Sequence, residues 1–355
     1  MTISEVVVPD WSADPRAKAA YAMSYQHQQS QAAVRAATVA AVLEAWATVN
    51  SEKLVLSWFG GLLDRIFTLI SMGQEIVARQ AVHFVRTTLS VQGFDVDIPD
   101  LNPLSFAGIA SDGRDLETLV TGAVARSFER LNRGDSPAAA VQAGANYLVL
   151  VTGTQISDAG RAADQVAITA AMPAAPAVEP TSPLGVTPPS RKKLQYGWVR
   201  MLTPPSCSRC AILAGQFYKW NDGFLRHPLC DCRHIPATED LTDALTTDAK
   251  AYFNSLTEAQ QNYFFGAANS QAIRDGADIY QVVNATTRKG AMFTADNGRR
   301  YTREGTTRRG FANARISRSG LKGKVLRPTP WQIYRDAQGD RAEAVRLLRK
   351  FGYIL

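Results

Sequence analysis

Apolar positions recur at helical spacing through most of the first 172 residues of this 355-residue chain. Val34, Ala37, Ala41, Val42, Ala45, Trp46 and Val49 share one face of a 3.6-residue period, and Asn50-Ser51 breaks it and offers a new N-cap. Leu116, Leu119, Val120, Ala123 and Val124 repeat the pattern. Arg126, Arg130 and Arg133 gather toward the end of that run, where cations favour the helix dipole, and Gly134 supplies a left-handed stop. Ser136-Pro137 reads as the N-cap and first-turn proline of another alanine-rich helix. No strand-like alternation of useful length interrupts this region. So much alanine suits close helix packing or oligomer contacts.

The period then stops. Residues 173–189 (PAAPAVEPTSPLGVTPP) hold six prolines and read as a linker or an extended arm. Shorter helical patterns follow further on. Thr257 with Gln260 fits a capping box for a helix ending near Gly266, and Ser270 is placed to cap another ending near Gly276. Residues 296–327 show no clear periodicity. Thr329-Pro330 starts one more helix, and Asp340 caps RAEAVRLLRKF, with Gly352 as its stop. No internal repeat is visible.

Composition adds little until cysteine and charge are placed. Hydrophobic residues make up 46% of the chain, ample for buried cores. The first residues, MTISEVVVPDW, lack the basic flank and apolar run of a secretory signal. The most apolar window, 54–72, is split by Asp64 and Arg65, which argues against a membrane span. The expectation is a protein made in a reducing cytoplasm, with no membrane partner. Its net charge of +7 is concentrated: between Gly298 and Arg327 ten Lys/Arg stand against Glu304 alone, leaving the remainder slightly acidic. Arg299, Arg300, Arg303, Arg308, Arg309, Arg315 and Arg318, interleaved with glycine and with Tyr301 and Phe311, suit sequence-independent contact with DNA phosphates. A solvated loop, or one pairing with an acidic protein surface, is the alternative.

All four cysteines lie within residues 207–234, CSRCAILAGQFYKWNDGFLRHPLCDCRH. The spacing is C-x2-C, sixteen residues, then H-x2-C-x-C-x-H. A C-x2-C pair can turn two sulfurs toward one ion, and a second pair at this distance closes a tetrahedral zinc site. Cys207 and Cys210 form the first pair. Two of His227, Cys230 and Cys232 complete it: Cys230 and Cys232 point the same way in extended chain, and His227 can replace one of them. His234, close to Pro236, reads as a supporting residue. A redox C-x-x-C and a chance meeting of buried thiols are the competing readings; neither needs the downstream H-x2-C-x-C. No H-E-x-x-H and no spare carboxylate ligand favour catalytic zinc, so the expected metal is structural Zn²⁺.

C-x2-C followed by Leu213 and Gly215, then His227, Pro228, Cys230 and Cys232, resembles the minor head proteins of tailed phages typified by the Mu F protein. Trp198 and the approach LTPPSCSRC are similar to that family's lead-in. FLRHPLCDCRHIP, VVNATTRKGAMFT and EGTTRRG resemble versions from phages of actinobacteria, whose genes are often labelled capsid maturation protease. The likeness is specific over about 196–240 and weaker over 250–355. Before the linker it is only architectural. Many relatives place an Asp before the first cysteine where this chain has Pro204-Pro205-Ser206.

The resemblance implies a minor capsid protein inside the virion, assisting prohead assembly near the portal, with portal, capsid or scaffold proteins as partners. The expected architecture is mainly α: a helical domain over 1–172, a Pro-rich linker over 173–195, a zinc-binding module over 196–240, and a helical region over 241–355 carrying the basic tract 298–327.

Two rival functions are a capsid maturation protease and a zinc-stabilised non-specific DNA-binding protein. For the protease the catalytic residues are unknown from sequence. GTQISDAG around Ser157 does not match a G-x-S-x-G elbow. Outside the cysteine segment the histidines are His27, expected to be solvated among glutamines, and His83, expected to be a satisfied core residue.

Overall fold

A computed structural model describes residues 14–171, 196–218, 233–288, 290–307, 310, 312–314 and 326–355. The chain is mainly helical, as its periodicity implies. It divides into two compact units. The helical unit takes the described residues up to 201 together with 215–218 and 233–245; the C-terminal unit takes 202–214 and the described residues from 246 onward. The division does not follow the expected boundaries at 172 and 240, because a strand at 196–201 and a second at 233–238 group with the N-terminal helices.

The helical unit opens with α1 (Pro15–Trp46), whose first turn is capped by the Asp14 carboxylate accepting from Arg16 N at 2.9 Å. After the Asn50 turn, where Asn50 Oδ1 accepts from Glu52 N, come α2 (Leu54–Ser57), α3 (Leu63–Arg79) and α4 (Ala81–Ser90). A wide turn at Trp58–Leu62 joins α2 to α3, and Gly61 at φ 112° makes it possible. Leu54–Ser90 is long and apolar enough, by length and composition, to cross a membrane. Here Ile66, Ile70, Val77, Val85 and Leu89 are buried inside the unit, while Leu56 and Phe59 face outward. Next come α5 (Leu116–Asn132) and α6 (Pro137–Ala171). As expected, the five apolar residues of the 116–124 pattern are buried, Gly134 takes φ 87°, and Ser136 Oγ accepts from Ala139 N.

Helix α6 is the axis of the unit and packs against α1, α3, α4 and α5. Its small residues allow this. A Cβ built at Gly144 would lie 2.4 Å from the Trp46 ring, and one at Gly160 would lie 2.7 Å from Gln31 Oε1. Trp46 and Trp58 meet edge to face at 6.0 Å, and each indole N–H has a partner, Val141 O and Thr121 Oγ1 respectively.

Three strands not expected from sequence complete this unit: β1 (Tyr196–Met201) lies between β2 (Phe217–Tyr218) and β3 (Arg233–Thr238), all antiparallel. Val199, Ile235 and Ala237 pack on Ala17 and Ala20 of α1. Gln92 ties the sheet to the end of α4: its amide donates to Pro236 O at 2.8 Å and accepts from Thr238 N at 3.3 Å.

The C-terminal unit is built from short helices: α7 (Ser208–Leu213), α8 (Ala249–Ser255), α9 (Glu258–Phe265), α10 (Ala267–Arg274) and α11 (Ile279–Thr287), of which α8, α9 and α11 carry side-chain N-caps. The Thr257/Gln260 capping box is present, and Gly266 at φ 85° ends α9. Ser270 does not cap a helix. It is buried inside α10, and its hydroxyl donates to Gln261 O at 2.8 Å, because Gly266 takes the N-cap position four residues earlier than expected. A hairpin of β4 (Met292–Thr294) with β5 (Arg300–Thr302), joined by β6 (Arg327–Pro328), begins just before the tract without periodicity and runs into it. Thr329 and Asp340 cap α12 (Pro330–Asp336) and α13 (Arg341–Lys350), and Gly352 takes φ 70°.

Candidate metal site and basic surface

Cys207 and Cys210 lie in the C-terminal unit, at the start of α7, a helix packed on α8 and α11. Cys207 occupies the N-cap position and is half-buried; Cys210 is one turn on and buried. Their sulfurs are 3.2 Å apart, well beyond the ~2.05 Å of a disulfide, so both are thiols facing one point. The approach to Cys207 is clamped. Ser206 N donates to Tyr252 Oη at 2.8 Å, Tyr252 Oη donates back to Ser206 O at 3.0 Å, and Ser206 Oγ donates to Thr203 O at 2.6 Å. Arg209, between the cysteines, points away and donates to Asn284 of α11.

The other expected ligands, His227, Cys230 and Cys232, lie outside the described residues. Among the described residues no three Cys, His, Asp or Glu side chains form a metal-binding group. His234 sits on β3 in the helical unit, buried, its ring 4.8 Å from that of Trp198.

Structure sorts the basic tract. Arg308, Arg309, Arg315 and Arg318 lie outside the described residues. Arg327 is no surface cation: it is fully buried and lies 3.9 Å from the centre of the Tyr353 ring. It donates to Phe351 O, Glu304 O, Gly352 O and Gln281 Oε1 at 3.0–3.1 Å. Burial pulls its pKa down, and burial likewise pushes the Tyr353 phenol up to about 12. Arg299 pairs with Asp336 and donates to Tyr301 Oη. Arg300 and Arg303 remain exposed, each over an aromatic ring: Arg300 is 4.2 Å from the Trp331 ring centre and Arg303 5.2 Å from that of Phe293. Arg335 approaches the same Trp331 ring at 5.3 Å, a cation the sequence tract did not include.

His27 and His83 both differ from expectation. His27 is half-buried with its ring side chain only 8% exposed, not solvated. Its Nε2 lies 3.0 and 3.1 Å from the Asp164 carboxylate oxygens and 2.7 Å from the Gln31 amide nitrogen, and its ring stacks on Phe84 at 3.8 Å. Asp164, its partner, falls on the buried face of α6. His83 is exposed, because its helical position turns it away from Phe84 and Val85. Ser157 is buried on α6, and its Oγ accepts from Arg35 Nη1 at 3.3 Å.

Compared with known proteins, the chain matches no family model, no curated protein and no solved structure.

Proposed function

We propose that this chain is a minor head protein of a tailed phage, resembling the Mu F type, that acts in prohead assembly near the portal and carries one structural zinc ion. The observation carrying the reading is the C-x2-C turn followed by H-P-x-C-x-C. Two thiols held 3.2 Å apart on a clamped turn fit a pair of zinc ligands. Cys207 and Cys210 would hold the ion with two of His227, Cys230 and Cys232. Zinc bound there would contribute its binding free energy to folding. Portal, capsid or scaffold proteins are the proposed partners in the capsid interior. Arg300 and Arg303, with Arg308, Arg309, Arg315 and Arg318, are the proposed contacts to packaged DNA.

Mass spectrometry of purified particles from the phage or prophage encoding the chain tests the assignment: the protein should be present at low copy. Its absence from both proheads and virions overturns the reading. Zinc is tested separately. Purified protein should contain one zinc per chain, and Cys207→Ser should lose the metal and expose the 196–240 segment to protease. A Cys207→Ser protein that is metal-free yet equally resistant removes the structural role.

The second reading, a capsid maturation protease, draws on the His27–Asp164 pair, since a carboxylate that orients an imidazole is half of a triad. His27→Gln separates the two readings. It should leave major capsid protein trimming unchanged if the protein is structural and abolish it if the protein is the protease.

A further inference from the structure

A groove of about 420 Å³ lies between α1 and α4 of the helical unit, and nothing above employs it. Met23 and His27 of α1, Gln80 at the head of α4, and His83 and Phe84 of α4 line it. His27 is held in both plane and rotation. Phe84 stacks on the imidazole with the ring planes 7° apart, and the Asp164 carboxylate of α6 holds its Nε2. Two carboxylate oxygens facing Nε2 place the ring proton there. Gln31 fits with its amide turned over: Oε1, which has no other partner, then accepts from the same N–H. The neutral ring therefore carries its lone pair on Nδ1. Among the described residues Nδ1 has no hydrogen-bond partner.

Gln80 adds a second unmet acceptor, because its Oε1 is buried without a donor. His83 brings another imidazole, exposed and without a hydrogen bond among the described residues. Asp164 is 3% exposed, and His27 is its one described partner. The groove thus gathers lone pairs beside a buried carboxylate, with no donor or cation to match them. An anion would meet that carboxylate, and an apolar ligand would leave the lone pairs unmet. A carboxylate behind an imidazole whose other nitrogen is open is the arrangement that orients a metal-ligating histidine. Among the described residues no third Cys, His, Asp or Glu ligand joins the two histidines, so water completes the shell.

We infer that this groove binds one divalent transition-metal ion of the class that imidazole suits: nickel, copper or zinc. His27 Nδ1 and His83 ligate it, Gln80 Oε1 is the third protein ligand, and Asp164 is a positioning residue. The ion ties α1 to α4. It is separate from the thiol pair of Cys207 and Cys210, which belongs to the C-terminal unit.

Isothermal titration of the purified full chain with Ni²⁺ tests this. Saturable one-to-one binding is expected. His83→Ala, at an exposed position on α4, should weaken it at least about tenfold while circular dichroism stays unchanged, as should His27→Gln. Asp164→Asn keeps the shape but removes the charge, and should weaken nickel about 10- to 100-fold. Cys207→Ser should leave nickel affinity unchanged, so this site and the thiolate zinc site stand or fall separately. No saturable binding to the native chain, undiminished affinity in a folded His83→Ala protein, or loss of nickel binding in Cys207→Ser overturns the inference.

Discussion

In the helical unit a 35-residue helix is surrounded by four others and meets them through alanine and glycine. In the C-terminal unit the longest described helix has ten residues, and a buried arginine gathers three carbonyls, one from the Glu304 turn and two from Phe351–Gly352 past the last helix. Long helices satisfy their own backbone, so the first unit needs only matched surfaces. Short helices leave a large share of their N–H and C=O groups at the ends, so the second depends on caps and on side chains that reach into loops. A substitution that removes polar contacts should therefore harm the C-terminal unit more, and one that adds volume should harm the helical unit more. Hydrogen exchange resolved by mass spectrometry reads each unit separately and avoids treating the chain as one two-state system.

The largest effect is expected at Arg327. Arg327→Ala leaves Phe351 O, Gly352 O and Glu304 O without their donor inside a buried site, a loss of about 3–5 kcal/mol. Exchange should rise through β5, α11 and α13 while α3 and α6 stay protected. Equal deprotection of both units would contradict the contrast drawn here.

Asp275 comes next. Burial pushes its carboxyl up, but hydrogen bonds from Tyr334 Oη at 2.7 Å and Arg341 Nε at 2.8 Å outweigh that and hold its pKa below the ordinary 3.8. A depressed folded pKa means stability that is present above the unfolded value and lost as pH falls through the folded one. Asp275→Asn should cost the C-terminal unit about 2 kcal/mol at neutral pH and flatten its stability loss below pH ~3.8. An unchanged acid limb in the variant assigns the loss to other carboxylates.

Gly144→Ala tests the other side of the comparison by sign. Alanine is the better helix former by about 1 kcal/mol, so propensity alone predicts stabilisation. The added Cβ would lie 2.4 Å from the Trp46 ring and 3.0 Å from Ala123 O, and backbone cannot yield cheaply. Overpacking of about 1–3 kcal/mol should win, giving net destabilisation of about 1–2 kcal/mol confined to the helical unit. A thermal shift upward would show that α6 has slack.

These contrasts also explain which parts were legible in the sequence. Helices with a buried stripe, such as 116–132, and ends marked by Gly134, Thr257 or Asp340 followed from local chemistry, because local groups decide them. Strand β1 did not: all six of its residues are buried, so YGWVRM carries no alternation to read. The β4–β5 hairpin was hidden in a segment whose charge suggested a surface tract, and only tertiary contacts reveal that Arg327 turns inward while Arg300 and Arg303 stay out. The two sulfurs of the C-x2-C pair were paired from spacing alone. His27 was misjudged because its partner Asp164 lies 137 residues away, beyond any local pattern.

The smallest effect concerns helix caps, compared between units. Asp340 Oδ1 accepts from Ala342 N at 2.8 Å and Glu343 N at 3.1 Å, at the head of the ten-residue α13. Ser136 Oγ accepts from Ala139 N at 3.3 Å at the head of the 35-residue α6. Replacing a good N-cap by alanine costs about 1 kcal/mol, and less where the hydrogen bond is long. In α13 the freed N–H groups belong to one of under three turns, so fraying reaches Ala344 and Leu348, the helix's buried contacts. In α6 the first buried residue, Ala140, is followed by a further eight turns locked by packing, so fraying stops early. Asp340→Ala should therefore lower the C-terminal unit's stability by about 1 kcal/mol, and Ser136→Ala the helical unit's by only a few tenths. Parallel urea titrations of the two variants, read by exchange within each unit, measure the difference; equal losses would mean that helix length does not govern how far a lost cap propagates.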